Sequence, residues 1–492
     1  MTVYLVGAGP GDPGLLTVRG AELLRSAEVV VHDRLIGPRI LDLAPPTARL
    51  VDVGKSAGSA PTSQEETNAL LVALGREARV VVRLKGGDPY VFGRGGEEAI
   101  ALAAAEVDYE VVPGVSAATA VAACAGVPLT HRGVASGFAV VSGHDVSSTG
   151  PGVDWGRLAE ARCTVVVLMG AAQRALVAGR LLSAGRAPST PVLVVERGSS
   201  PQQRSVRTTL GELDAVDVES PATIVVGEVA ALRLASYEDR PLAGWRVVVT
   251  RAASSSAPLV ALLERAGASV VELPVVEIRD PEDGGAALRA AADRLAVYDW
   301  VVVTSANGAE RLLGLIRDAR SLGRARVAAV GPATAAAVRR AGIVPDLVPD
   351  RFVAEGLVDA FRALDVRASG RPGRVLLAQA AAARPVVADG LAALGWDVDA
   401  VVAYQSARAT PGRAALDEVA RADAVVFTSA STVEGFLEVV DRKGVPPVVA
   451  SIGPVTTAAA ESAGIRVCVE AGHHTVAGVV DALSAFASSS GR

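Results

Sequence analysis

Aromatic side chains are nearly missing from this chain: they make up 3% of a sequence that is 50% hydrophobic. Its cores must therefore be built mainly from Ala, Val and Leu, a composition that suits buried parallel strands covered by helices. Cysteine is equally scarce. Cys124, Cys163 and Cys468 are odd in number and widely spaced, which argues against a disulfide scaffold and a cysteine zinc site and fits a reducing, cytoplasmic setting. No metal is expected. Lysine occurs only at Lys55, Lys85 and Lys443, so an anion site would rest mainly on arginine and its bidentate fork. Neither sign of charge dominates, with 48 Lys plus Arg against 53 Asp plus Glu. That removes the general electrostatic reason to expect nucleic acid or a membrane surface as partner. The N-terminus lacks a basic segment followed by a long apolar core, so no signal peptide is expected. The uncharged stretch from Val111 to Thr130 is long enough to span a bilayer, but Pro113, Gly114 and Pro128 interrupt it, and it reads as a buried turn and helix.

With 492 residues, two or three domains are expected. Valine-rich runs alternate with helical stretches: AEVVVHD around Val30, ARVVVRL around Val81, CTVVVLMG around Val166, PVLVVERG around Val194 and ATIVVGEV around Val225. This is the pattern of α/β architecture, continuing to about residue 235. LASYEDRPLAG, from Leu234 to Gly244, is polar and contains a proline, so residues 236–244 are expected to link two domains, 1–235 and 245–492. Division of the chain near Ser236 should then leave two active halves. Within the second half, DWVVVTSANGAERLL from Asp299 is echoed by DAVVFTSASTVEGFL from Asp423, and each is followed by a Gly-Pro-initiated helical run. Two similar subdomains facing a cleft are expected, one from 245–278 plus 405–492 and the other from 279–404.

The first glycine loop, GAGPGDP from Gly7 to Pro13, follows a strand-like run and precedes a helix-like one. A dinucleotide fingerprint would need a third glycine where Asp12 stands, and Asp12 would set negative charge beside a pyrophosphate. Pro10 and Pro13 stiffen the loop. Asp33 nevertheless lies at about the right distance to be a ribose ligand, so a nicotinamide-dependent oxidoreductase with a ligand-binding second domain stays open on this loop alone.

Two further stretches change the reading. LKGGDPYVFGRGGEE, from Leu84 to Glu98, and GVPLTHRG, from Gly126 to Gly133, follow GAGPGDP in order. Together they resemble the class III tetrapyrrole methyltransferases, specifically the uroporphyrinogen-III C-methyltransferases. TVVVLMG, VVERGSSPQQR and PATIVVGEVAAL extend the resemblance over residues 1–235. It implies a two-lobed α/β domain with S-adenosyl-L-methionine folded between the lobes. Carried over by position, Pro10, Gly86, Gly87, Asp88, Val91, Ser116, Ala117, Met169 and Gly198 are expected to bind the cofactor. Glycines let the backbone approach it, Asp88 can accept from its polar groups, and Met169 offers a polarizable wall. The same resemblance implies Asp33 as proton acceptor and Lys55 as proton donor; taken singly, Asp33 reads equally as a strand-end residue and Lys55 as a surface charge. Relatives often carry histidine after this glycine-lysine, whereas the chain reads GKSAGSAPTSQEETN, which weakens a catalytic role for that loop. His32 and His131 remain as substrate-contacting or structural groups. A homodimer through the methyltransferase domain is a further expectation.

The second half resembles uroporphyrinogen-III synthase through WRVVVTRA, DWVVVTSANG, AVGPATAAA, the Tyr404-Gln405 pair, VVFTSAST and SIGPVTTAAA. The implied protein is an α/β fusion, a two-lobed methyltransferase followed by a two-subdomain synthase-like domain. It would close hydroxymethylbilane to uroporphyrinogen III with inversion of ring D, then transfer two methyl groups to give precorrin-2 for siroheme or cobalamin. Such a substrate carries eight carboxylates, and the hydroxyls of Thr304, Ser305, Thr334, Thr428, Ser429 and Thr456 are candidates to receive them. Tyr404 is the candidate to assist departure of hydroxide. Each has a plain alternative, since Ser and Thr cap helices and Tyr packs. A non-catalytic protein that captures small molecules in the second half also stays open.

Overall fold

A run of β-branched residues closed by glycine makes a short strand that stops abruptly, and this unit recurs throughout the computed structural model. The structure describes residues 1–34, 36–54, 62–144, 152–161, 163–364 and 373–490. By its contacts the chain divides into Met1–Gly244 and Trp245–Arg492.

The first unit holds two sheets. Strands β1 (Thr2–Gly7), β2 (Val29–His32), β3 (Arg49–Asp52), β4 (Val80–Lys85) and β5 (Tyr109–Val112) pair in the order β3-β2-β4-β1-β5, all parallel. An all-parallel sheet needs cover on both faces. Val6, Leu24, Val30 and Val82 form one core and Val3, Val31, Leu71 and Val81 the other. The helices carry their own start signals. Ser63 and Glu66 form a reciprocal capping box ahead of helix Gln64–Glu77, and Thr17 caps Val18–Arg25. The second sheet, β6 (Phe138–Ser142), β7 (Thr164–Leu168), β8 (Pro191–Glu196), β9 (Arg204–Thr209) and β10 (Ala222–Val226), is mixed, in the order β6-β7-β10-β8-β9. Among the described residues no helix is long and apolar enough to cross a membrane; the uncharged stretch at 111–130 forms the end of β5, a turn and helix Ala117–Cys124.

The segment expected to be a free linker is docked on the first unit. Ser236 and Asp239 close a capping box around the turn Tyr237–Asp239. Tyr237 Oη donates to Asp12, and Glu238 accepts from Gln203 Nε2 at 3.0 Å and from the Ser205 amide at 3.2 Å. A cut near Ser236 therefore severs a packed element.

In the second unit, β11 (Arg246–Val249), β12 (Ser269–Glu272), β18 (Ala424–Phe427), β19 (Val448–Ser451) and β20 (Val469–Glu470) form a parallel sheet in the order β12-β11-β18-β19-β20. The other sheet, in the order β13-β17-β16-β14-β15, contains β13 (Val276–Arg279), β14 (Trp300–Val303), β15 (Arg326–Ala329), β16 (Arg374–Ala380) and β17 (Asp397–Arg408). The long β17 runs parallel to β16 through Tyr404 and then pairs antiparallel with β13 over Gln405–Arg408. Strands expected at the edge of the first subdomain thus belong to the second sheet, because β13 and the end of β17 satisfy each other's backbone. The chain crosses between sheets near Val275 and Ala409, whose backbones bond at 3.2 Å. The sequence echo is a structural repeat: β14 and β18 each lead into a serine-capped helix, and β15 and β19 each lead into a helix with Pro at its first turn.

Candidate active site

Two glycine loops that lie far apart in sequence meet at the carboxyl ends of neighbouring strands. β1 ends at Gly7 and β4 at Lys85, paired in register, and beyond them Gly9 and Gly87 exchange both backbone hydrogen bonds, at 3.2 and 2.8 Å. The junction tolerates no side chain. A Cβ on Gly114 would stand 2.3 Å from the Gly87 oxygen, and one on Gly7 would stand 2.5 Å from Gly114 Cα. Gly87 itself has φ +69°, a conformation that favours glycine.

These loops wall a cavity of 430 Å³ together with loops of the second sheet. Of the positions expected to bind cofactor, Pro10, Gly86, Gly87, Val91, Ser116, Ala117, Met169 and Gly198 line it. Asp88 does not. Its Oδ1 accepts from the Tyr90 amide at 2.8 Å and its Oδ2 from the Gly114 amide at 3.0 Å, so the carboxylate staples the loop instead of facing a ligand. Non-glycine residues rarely adopt positive φ, yet Phe92, Arg94, Met169 and Arg197, with φ from +45° to +57°, all line this cavity. Strain gathered around one hollow is characteristic of a built site.

Asp33, immediately after β2, also lines the cavity, and its side chain is 35% exposed. Its Oδ1 accepts from Arg83 Nη2 at 2.6 Å. Arg83 and Lys85 line the same wall but are almost wholly buried, and both donate to Glu98 Oε1 at 2.9 Å. Burial, and then the neighbouring Arg83 charge, push the Lys85 ammonium below the usual lysine range, with Glu98 opposing. Reasoning from motifs missed Arg83, Lys85 and Glu98; the available signal was a pair of cations two residues apart inside a valine strand. Lys55 lies outside the described residues. His32 and His131 do not line the cavity; each ring nitrogen Nδ1 meets a backbone carbonyl nearby, of Asp33 at 3.3 Å and Arg132 at 2.9 Å. The loop at Asp12 is closed to a pyrophosphate, since Asp12 Oδ1 accepts from the Gly14 amide at 2.7 Å and its other oxygen holds Tyr237.

In the second unit the expected hydroxyls are divided between the sheets. Ser305 caps helix Ala306–Leu313 by accepting from the Gly308 amide at 3.0 Å, and Ser429 caps Ala430–Val439 by accepting from the Thr432 amide at 3.3 Å. Thr334 and Thr456 sit in the first turns of their helices, each 4% exposed. Thr304 and Thr428 are half-buried at the ends of β14 and β18. Tyr404 packs into the core with Leu312, Val401 and Ala403 and is 8% exposed. Of the six side chains expected to take carboxylates, Ser305 and Ser429 thus cap helices, Thr334 and Thr456 are buried, and Thr304 and Thr428 stay partly exposed at strand ends.

Comparison with known proteins separates the two halves in the same way. Residues 2–214 match the family of Tetrapyrrole (Corrin/Porphyrin) Methylases, and residues 257–481 match Uroporphyrinogen-III synthase HemD. A porphyrin biosynthesis protein HemD of Ruminiclostridium josui is 35% identical over 98% of this chain and 97% of its own length. An S-adenosyl-L-methionine-dependent uroporphyrinogen III methyltransferase of Methanosarcina barkeri is 48% identical over 47% of this chain and 92% of its own. The crystal structure of uroporphyrin-III C-methyl transferase from Thermus thermophilus complexed with S-adenyl homocysteine is 48% identical, covering 46% of this chain and 98% of that one, with a TM-score of 0.42.

Proposed function

Because the chain belongs to the tetrapyrrole methylases through its first half and to the uroporphyrinogen-III synthases through its second, we propose that it makes uroporphyrinogen III and then methylates it. The observation that carries the methyltransferase reading is the Gly9–Gly87 junction walling a 430 Å³ cavity with Asp33 on its rim.

The cavity suits S-adenosyl-L-methionine. Its volume falls in the range of small-molecule sites. A Cβ on Gly86 would meet nothing within 4 Å, so the missing side chain leaves room for a ligand to approach the backbone. Pro10, Val91 and Met169 supply apolar wall, and Ser116 sits at the start of helix Ala117–Cys124. When bound, the cofactor supplies an electrophilic methyl carbon on a cationic sulfur. The protein's task is alignment, holding a pyrrole carbon in line with the breaking bond, where positioning accounts for a large share of the rate. The new carbon–carbon bond leaves the macrocycle cationic, and it must then lose a proton. Asp33 is the carboxylate on the cavity wall that accepts it. Two rounds give precorrin-2, which would feed siroheme or cobalamin.

For the second half we infer closure of hydroxymethylbilane with loss of water and inversion of ring D. The substrate's own electrophile carries most of that chemistry, so the protein must hold one geometry and exclude direct closure. With Ser305 and Ser429 engaged as caps, the backbone amides of the first turns after β14, β15, β18 and β19 are the donors best suited to carboxylates. The test is product analysis from hydroxymethylbilane with and without S-adenosylmethionine. Uroporphyrinogen III alone, then a dimethylated product when the cofactor is added, is the expected result. An unchanged ratio of uroporphyrinogen I to III, or absence of methylation, refutes the corresponding half.

A further inference from the structure

β4 is a central strand flanked by β2 and β1, and in such a strand apolar residues are the rule. Val81, Val82 and Leu84 obey it with 0% exposure. Arg83 and Lys85, two residues apart and therefore on one face, do not. They are buried to 4% and 3% against Glu98, which is 0% exposed and comes from the first turns of helix Gly95–Ala104. Glu98 Oε1 takes both cations, while its Oε2, equally buried, has no partner among the described residues. Desolvating ions is costly, and a buried ion pair is a weak sign of added stability. Two buried cations also outnumber the one buried carboxylate.

The carboxylate that balances the count is Asp33, which lines the cavity beside Arg83 and Lys85 but with its side chain one-third exposed. The grip on it is rigid. Arg83 Nε is held by Glu98, Nη1 reaches the Leu84 carbonyl at 3.4 Å, and Nη2 donates to Asp33 at 2.6 Å. A planar fork held at three places has little freedom to swing, which a lysine at the same position would retain. Lys85 holds Glu98 from the other side.

We propose that Arg83 is a positioning residue for methyl transfer, which grips Asp33 from inside the core and fixes where the alkylated macrocycle delivers its proton, with Glu98 and Lys85 anchoring the grip. The inference rests on the reading of Asp33 as the proton acceptor.

The test uses the full chain, with turnover on uroporphyrinogen III and calorimetric binding of S-adenosylhomocysteine. Arg83→Ala is expected to lower kcat by about 100-fold, the loss typical of a misplaced catalytic group, with little change in the affinity for S-adenosylhomocysteine. Added guanidinium should restore part of the lost turnover, a response that a merely structural defect lacks. Arg83→Lys keeps the charge without the fork and should remain impaired. If Arg83→Ala does not fold, Asp33→Glu at the rim moves the carboxylate by one methylene and is expected to lose kcat while still binding S-adenosylhomocysteine. Full turnover in Asp33→Glu, or Arg83→Ala with wild-type kcat and a raised KM for uroporphyrinogen III, overturns the proposal. Wild-type protein that transfers no methyl group overturns the underlying reading, and the inference with it.

Discussion

Replacing Tyr237 with phenylalanine removes one oxygen from the segment that precedes the second unit, and its effect is expected at the cofactor cavity. Tyr237 Oη donates to Asp12, whose other oxygen accepts from the Gly14 amide in the loop that supplies Gly9 and Pro10 to the cavity wall. The next residue, Glu238, accepts from Gln203, and Gln203 Oε1 accepts from the Ser199 amide at 2.9 Å, beside the wall residue Gly198. One short turn therefore clasps both rims. Burial, and then the bond to Asp12, push the phenol up to about 12. A raised phenol contributes its full stabilisation below its unfolded value near 10, and that contribution fades as pH climbs from about 10 to about 12. A hydrogen bond to a carboxylate contributes about 1.5–3 kcal/mol when buried, and the partial exposure here lowers that to about 1–2 kcal/mol. With full coupling to cofactor binding, the loss corresponds to about 5- to 30-fold in Kd. Calorimetry of S-adenosylhomocysteine binding to the full chain near neutral pH is the assay. A fragment ending at Gly244 should bind like the whole chain, and one ending at Ala235 should bind more weakly than either. Equal affinity in wild type and Tyr237→Phe, within about twofold, refutes the clasp.

Gly86→Ala places a methyl group where the protein itself offers no contact within 4 Å, so the melting temperature should hold while S-adenosylhomocysteine binds about tenfold more weakly. Gly114→Ala does the reverse. Its Cβ would stand 2.3 Å from a backbone oxygen, and a cost of about 3 kcal/mol or more should lower the melting temperature by about 6–12 °C in calorimetry. Asp33→Ala is expected to lose methyl transfer by about 100-fold or more and to leave closure of hydroxymethylbilane intact; equal loss of both would show that the two sites are not separate. Tyr404→Phe keeps the ring in its core, so melting should be unchanged, while formation of uroporphyrinogen III falls by about 100-fold if the phenol donates the proton. An unaltered rate removes Tyr404 from the mechanism.

The strands were legible because valine runs ending in glycine admit few other structures, and the glycine loops because backbones that touch leave no room for a Cβ, as at Gly7 and Gly114, or because the turn needs a positive φ, as at Gly87. Polar residues were harder to read. Asp88 looked free to meet a ligand, yet an aspartate two residues before an unpaired amide can bind that amide first, as it does with Tyr90. Ser305 and Ser429 looked like ligand hydroxyls, yet serine where a strand ends and a helix begins is also the ordinary N-cap. The stretch 236–244 looked like a tether because it is polar, and that polarity is what allows Tyr237 and Glu238 to dock through side-chain hydrogen bonds.

Arg83 and Lys85 escaped notice for the opposite reason, since they stand inside the apolar run VVVRLK and the run was read as strand without regard to its exceptions. In a chain whose cores are mainly Ala, Val and Leu, a β-branched run needs no charge to be stable, and burying charge opposes folding. A cation at two alternate positions of a central strand therefore implies a buried anion on the same face. The helix that follows the glycine loop carries two acidic residues in its first turn, Glu97 and Glu98. Glu98 proves to be the buried partner, while Glu97 pairs with Arg94 in solvent at 2.7 Å. One buried carboxylate against two cations leaves the count uneven, and in a parallel sheet the neighbouring strand's carboxyl end lies alongside. The aspartate that ends AEVVVHD is then the group that such a strand must meet, before any family resemblance assigns it chemistry.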